Sequence, residues 1–211
     1  MVMNMDDFMK KEQTCKVCTK KFTSLLVRKS KQPVVKSDSD FCLYYEKETP
    51  FFYHVFICPE CGYTFLESFK KDPPPGLREK LTSLPDVFSE KRDASAAELL
   101  YKRAIDIARQ QKEDDQVLAS LHHYLAWAYR FKGDKEKEKT TLSEALAYYR
   151  GVYENINVDD PFKVMYLIGD LYGRLGDKNE AVKWFSRVAN DKSASQAMRH
   201  RSREAWQQLR E

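Results

Sequence analysis

No run of apolar residues in the 211-residue chain approaches the roughly 20 that a membrane helix needs. The opening Met-Val-Met-Asn-Met-Asp-Asp has no apolar segment of the kind a secretory leader carries. The expectation is a cytoplasmic protein without a membrane partner. The seven glycines form no phosphate-cradling loop, nucleophile elbow and His-Glu-x-x-His are both absent, and the four histidines are scattered. A non-enzymatic protein is therefore expected. Nor is there an excess of one charge: 36 basic residues face 32 acidic ones, a net +4. No global field marks a nucleic-acid or membrane binder, and any such role has to be local.

What is present is a core-forming composition, 42% hydrophobic and 13% aromatic, enough for one or two folded domains. The most informative residues are two Cys-x-x-Cys pairs, Cys15/Cys18 and Cys58/Cys61. Together they supply the four thiolates of a closed tetrahedral zinc site at the ligand spacing that structural sites use. In Cys58-Pro59-Glu60-Cys61-Gly62, proline stiffens the turn and Gly62 can take a positive φ that turns backbone N–H groups toward sulfur; Cys15-Lys16-Val17-Cys18-Thr19 lacks both aids. A redox dithiol and unliganded thiols are the competing readings, whereas disulfides are rare in a reducing compartment. Zinc is the default metal, and iron accepts the same sulfur geometry. Cys42, between Phe41 and Leu43, reads as a small buried hydrophobe, with a fifth ligand or a second site built with Asp38 and Asp40 as alternatives. His54 reads as a partly buried, hydrogen-bonded histidine on the face of Phe52 and Phe56.

Along the chain, residues 1–13 are polar and expected to fray. From Thr14 to Leu66 the texture is β: Lys21–Val27, Phe51–Ile57 and Tyr63–Leu66 are rich in β-branched and aromatic residues. Knuckle, strand, excursion, strand, knuckle is the order of a zinc ribbon, with an excursion longer than a ribbon requires. Between Lys16 and Lys36 no acidic residue occurs, so Lys20, Lys21, Arg28 and Lys29 form a local basic patch that could meet phosphates; offsetting the charge of a metal–thiolate centre is the plainer reading. Asp72-Pro73-Pro74-Pro75-Gly76 reads as a stiff linker, followed by an amphipathic turn carrying Leu77, Leu81 and Leu84 and stopped by Pro85. The expected division is a ribbon-like module over 1–72, a Pro-rich linker with a short helix over 73–94, and helical repeats over 95–211.

Helical periodicity and caps place helices near 95–112, 116–132, 135–155, 161–174, 178–190 and 194–209. Ser95-Ala96-Ala97-Glu98, Asp177-Lys178-Asn179-Glu180 and Ser193-Ala194-Ser195-Gln196 read as capping boxes, Asp160-Pro161 as a cap with proline at the first helical position, and Gly133 and Gly176 as stops. Leu125-Ala126-x-x-Tyr129 before Gly133-Asp134 matches Ile168-Gly169-x-x-Tyr172 before Gly176-Asp177, and Leu142 and Ala145 correspond to Phe185 and Val188. This resembles the tetratricopeptide repeat, with a longer period and with His122 and Met165 where tryptophan is usual. The resemblance implies a concave groove lined by His123, Trp127 and Arg130, with Phe131 beside them, and by Tyr166, Asp170 and Gly173, with Arg174 beside them. Aromatic and arginine anchors are what interface hot spots use, and Trp127 is the leading one; filling of the groove by the chain itself is the alternative.

Cys15/Cys18, Asp38-Ser39-Asp40-Phe41-Cys42 and Cys58-Pro59-Glu60-Cys61-Gly62-Tyr63, joined to helical repeats, resemble the motifs of an uncharacterised bacterial zinc-ribbon-like family. The resemblance implies a cytoplasmic bacterial protein and no activity, and it gives Cys42 a significance beyond packing. The expected fold is mainly α, a small N-terminal β zinc-ribbon-like module followed by a tetratricopeptide-like domain. The expected function is a zinc-binding adaptor that takes a protein partner in its groove, with nucleic-acid binding through the basic patch as the alternative.

Overall fold

A computed structural model describes residues 4–82, 91–155 and 161–209. Leu84, Pro85 and Asp160, invoked above as turn and cap residues, lie outside the described residues. Three antiparallel strand pairs form the N-terminal module: β1 (Phe8–Thr14) with β2 (Lys21–Val27), β3 (Val34–Ser37) with β4 (Leu43–Tyr45), and β5 (Phe56–Ile57) with β6 (Thr64–Phe65). Six helices follow: α1 (Ala94–Gln111), α2 (Asp115–Lys132), α3 (Lys135–Glu154), α4 (Pro161–Leu175), α5 (Lys178–Asn190) and α6 (Gln196–Gln208). Each helix packs on the next in sequence, and α4 also touches α6.

The helix starts follow local chemistry. Asp134, Asp177 and Ser195 accept hydrogen bonds from the amides of Lys137, Glu180 and Met198 respectively, each relieving an unpaired first-turn donor. Two expected caps fall elsewhere. Asp93, not Ser95, caps α1 by accepting from the amides of Ser95 and Ala96 at 2.9 and 2.8 Å. Ser195, not Ser193, caps α6, and Ser193 instead bonds to Asp191. Gly169 has to be small, because a Cβ there would come within 2.9 Å of the Phe185 ring.

Two readings of the module need correction. Residues 8–14 do not fray: all seven pair with β2, from Phe8 opposite Val27 to Thr14 opposite Lys21. The anchor is Phe8, buried with its ring 5.1 Å from that of Tyr53. Phe51–Ile57 is not one strand. Pro50 starts a 3-10 turn over Pro50–Tyr53, and only Phe56–Ile57 pairs. Nearly every residue from Pro50 to Ile57 is buried, so the two-faced alternation expected of a strand does not apply. His54 accordingly leaves Phe52 and Phe56 and sits edge-on against Tyr124 of α2, 5.6 Å between centroids.

One apolar cluster runs from the module into α1 and α2, including Tyr53, Ile57 and Tyr63 with Leu100, Tyr101 and Trp127. Polar bonds cross the same boundary. The Tyr101 hydroxyl donates to the Phe51 carbonyl at 2.6 Å, and the buried Arg92 guanidinium donates to the Val55 carbonyl at 2.8 Å. Glu113 accepts from the amides of Lys70 and Lys71. These bonds satisfy carbonyls and amides that the short strands leave without ladder partners. No described helix is long and apolar enough to cross a membrane.

Candidate metal centre and the loop in the helical groove

Two turns of the same geometry bring the cysteines together. In one, the Thr19 amide donates to the Cys15 carbonyl and the Cys15 amide to the Lys20 carbonyl; in the other, the Gly62 amide donates to the Cys58 carbonyl and the Cys58 amide to the Tyr63 carbonyl. Both turns need a left-handed residue after the second cysteine, supplied by Thr19 at φ 61° and Gly62 at φ 73°. The glycine is required only in the second turn. There a Cβ would run into the Thr82 carbonyl and Arg103, whereas Thr19 is exposed and donates its hydroxyl to the Cys18 carbonyl. The first turn thus reaches, with a threonine, the shape for which the sequence offers no proline or glycine.

The four sulfurs lie within 4.8 Å of one another. Cys15 and Cys61 are 3.6 Å apart, as are Cys18 and Cys58. A tetrahedron with metal–sulfur bonds of about 2.3 Å has sulfur–sulfur edges of about 3.8 Å, so the spacing suits one four-coordinate ion. None of the cysteines is in a disulfide. Burial pushes the Cys15 thiol up to about 11 and raises that of Cys61 as well. Thiols so placed ionise when a cation takes the place of their protons. The donor set therefore fits a metal ion held by Cys15, Cys18, Cys58 and Cys61. With four protein ligands, such an ion keeps no open position, which is the arrangement of a structural site.

The second constellation lies on the face of the helical array formed by α2, α4 and α6. There the structure differs from an open partner groove, because the chain's own loop 38–42 occupies it. Asp40 is fully buried. One carboxylate oxygen accepts from Arg130 Nη2 at 2.7 Å, Trp127 Nε1 at 2.9 Å and His123 Nε2 at 3.3 Å; the other accepts from Arg130 Nη1 at 3.1 Å and the Cys42 amide at 3.3 Å, with Arg174 Nη2 3.4 Å away. Burial alone would raise the Asp40 carboxyl, but the hydrogen bonds from His123 and Arg130 and the Arg174 charge outweigh it and hold the group far below the usual carboxylate range. Asp38 accepts from the Tyr44 hydroxyl at 2.8 Å and from Arg130 at 3.0 Å.

Of the expected groove residues, His123, Trp127, Arg130, Tyr166, Asp170 and Arg174 belong to this arrangement. His123, Trp127 and Arg130 hold Asp40. The Tyr166 hydroxyl donates to the Ser39 carbonyl at 3.1 Å, and Arg174 donates to the Ser39 hydroxyl at 2.9 Å while Asp170 accepts from its Nε at 2.7 Å. Trp127 is 8% exposed, so this surface is inside the molecule. Phe131 stacks on Tyr44 at 4.9 Å. Gly173 does not line the groove, since a Cβ there would meet Leu209 and Ala181. Arg201 of α6, which no repeat pattern singles out, donates to the Asp38 and Ser39 carbonyls and lies 4.2 Å over the Phe41 ring. Phe41 takes a left-handed φ of 67° to present that ring.

Cys42 is fully buried, and burial together with the Asp40 charge pushes its thiol up to about 12. Asp38 and Asp40 are spent on arginines, so no second metal cluster forms with it among the described residues. Of the basic stretch, Lys20, Lys21, Arg28 and Lys29 are exposed. Arg28 is tied to the Phe8 carbonyl at 2.8 Å.

With this geometry in place, a family model for an uncharacterised protein conserved in bacteria (DUF2225) matches residues 8–209. The chain belongs to that family. No curated protein matches it.

Proposed function

We propose that the protein is a non-enzymatic, zinc-binding interaction protein whose tetratricopeptide-like array grips extended acidic–aromatic chain segments. The observation that carries this reading is the loop 38–42 itself. The groove residues that a repeat pattern would devote to a partner, Trp127, Arg130 and Arg174 foremost, engage Asp-Ser-Asp-Phe of the same chain. An array that recognises such a segment in cis has the chemistry to recognise one in trans: bidentate arginines for carboxylate and rings for an aromatic side chain. The tethered loop competes at high effective concentration, so the partner is admitted when the loop is displaced. Zinc, held by Cys15, Cys18, Cys58 and Cys61, fixes the module that carries the loop, and the adaptor works in the cytoplasm. Elemental analysis is expected to find about one zinc per chain, since four ligands make one closed site.

The test frees the groove. A labelled peptide spanning residues 36–44 is expected to bind the Asp38→Asn, Asp40→Asn double variant saturably, to bind the wild type at least tenfold more weakly, and to lose binding when Arg130→Glu is added. Absence of saturable binding to the freed groove removes the reading. Nucleic-acid binding through Lys20, Lys21, Arg28 and Lys29 is the lesser proposal. Retention on nucleic acid at low salt that fades steeply as salt rises would be its signature.

A further inference from the structure

A cleft of about 870 Å³ opens beside the filled groove, between the module and α2, α3 and α4. Its size is within the range of small-molecule sites, and junctions between structural units are where such sites concentrate. Its wall along α2 is a chain of rings in edge-to-face contact: His54 on Tyr124, Tyr124 on Trp127 at 5.0 Å, Trp127 on His123 at 5.1 Å, and His123 on Tyr149 at 5.7 Å. The far end is polar and ordered. Ionised Asp40 can only accept, so His123 Nε2 donates to it; in the neutral ring Nδ1 then accepts from the Tyr149 hydroxyl at 3.1 Å.

The near end differs. A second cavity of about 680 Å³ shares Lys29, Pro50, His54, Ser120 and Tyr124 with the first, making one continuous furrow. Neither the His54 ring nor the Tyr124 hydroxyl forms a hydrogen bond among the described residues, and both residues are half-buried. Burial and the nearby Lys29 push the His54 imidazole down to about 4, which leaves a neutral ring with one N–H to give. Lys29 is exposed and makes no ion pair among the described residues. Acidic side chains of the lining are engaged elsewhere except Asp115, which lies against Gly151 of α3: Glu113 accepts from the Lys70 and Lys71 amides, Asp114 pairs with Lys71 at 3.4 Å, Glu67 pairs with Lys11, and Asp40 is saturated. One end of an aromatic slot thus presents a cation and two uncommitted donors.

We infer that this furrow binds a small aromatic acid, its carboxylate or phosphate between Lys29, His54 and the Tyr124 hydroxyl and its ring against Tyr124 and Trp127. Lys29, His54 and Tyr124 take no part in holding the loop, and Trp127, which does, is the one residue this site shares with the loop-binding face. Calorimetric titration of the full chain with naphthoate, naphthyl phosphate and neutral naphthalenemethanol, all substituted at the same ring position, tests it. At least one of the two acids is expected to bind at one site per chain, the alcohol at least tenfold more weakly, with the Trp127 indole resonance shifting on binding. Lys29→Glu, a surface change that leaves melting unchanged, is expected to weaken the acid at least tenfold, and Tyr124→Phe to weaken it less. Which acid binds more tightly identifies the head group. No saturable binding of either acid, equal binding of the alcohol, or indifference to Lys29→Glu overturns the inference.

Discussion

The N-terminal module is fastened at two places that work by opposite means. The cysteine centre gathers four like donors, with burial holding the protons on Cys15 and Cys61, and it would gain its strength from a cation that arrives from outside. At the loop, opposite charges are already matched within the chain: Asp38 and Asp40 with Arg130, Arg174 and Lys36, Arg130 in turn with Glu138. The first anchor is one that a metal ion would complete, and it joins two turns of one module; the second is built in and joins that module to α2, α4 and α6. A fold held in both ways would keep its helical groove closed by residues that do not depend on the ion, while the sheets around the knuckles would depend on it.

Removing the metal gives the largest expected effect. Structural zinc sites carry roughly 10–16 kcal/mol of binding free energy, so a chelator, or Cys58→Ser, is expected to melt the β1–β2 and β5–β6 pairs. The signal of α4–α6, remote from the knuckles, is expected to persist, as amide exchange would reveal. Equal loss of protection in α5 and α6 would show that the two anchors form one cooperative unit and would erase the contrast.

Breaking the other anchor comes next. Asp40→Ala leaves Arg130 and Arg174 facing each other without the carboxylate between them, a situation that typically costs about 3–5 kcal/mol. Denaturant unfolding of the metal-supplemented protein should register it, with metal content unchanged. Adding Arg130→Met should cost less than the sum of the two single changes, because both remove the same Asp40–Arg130 pair. A neutral Asp40→Ala would mean the loop is dispensable packing. Because the native Asp40 carboxyl lies below its unfolded value, its contribution is complete above the ordinary aspartate range and disappears only as pH falls through strongly acid values.

The smallest effect belongs to His54, which lies outside both anchors. Its native pKa of about 4 is below the ordinary histidine value, owing to burial and then to Lys29, so the unfolded chain takes up the proton first. Stability is therefore expected to fall as pH drops from about 6.5 to 4. His122 of α2, which burial also shifts down, adds to the slope. The difference between wild type and His54→Phe isolates the His54 share; identical pH profiles would show that the ring is protonated at no cost.

The two anchors also differ in how far the amino-acid order reveals them. Metal ligands come as i, i+3 pairs because one turn must aim two sulfurs at one ion, so Cys15/Cys18 and Cys58/Cys61 announce themselves. Helices are equally legible: Asp134, Asp177, Gly133 and Gly176 mark ends with local bonds, and five of the six expected helices begin within one residue of where the structure has them. The pattern that selected Trp127, Arg130 and Arg174 found the inner face of the array but not its occupant. What fills it is decided by Asp40, a single residue whose partners are 83 to 90 positions away in α2 and which no periodicity connects to them. Phe8–Thr14 was hidden for a similar reason: a strand of lysines and glutamine reads as polar tail until β2 supplies its ladder.

The reach of loop 38–42 also bears on the order in which the molecule is made. Asp38 is bonded to Arg201, 163 residues later, whereas the last cysteine ligand follows the first by 46. At ribosomal rates of roughly 5–20 residues per second, the knuckles are complete while the array is unwritten, and Asp40 waits on the order of 5–25 s for Arg130 and Arg174 and longer for Arg201. In that interval the loop's carboxylates are solvated and its aromatic neighbours Phe41 and Tyr44 exposed. Contacts of such sequence separation form slowly, so the closing of the groove is a late event, and the newborn chain passes through a state with both cysteine turns made and the groove still open.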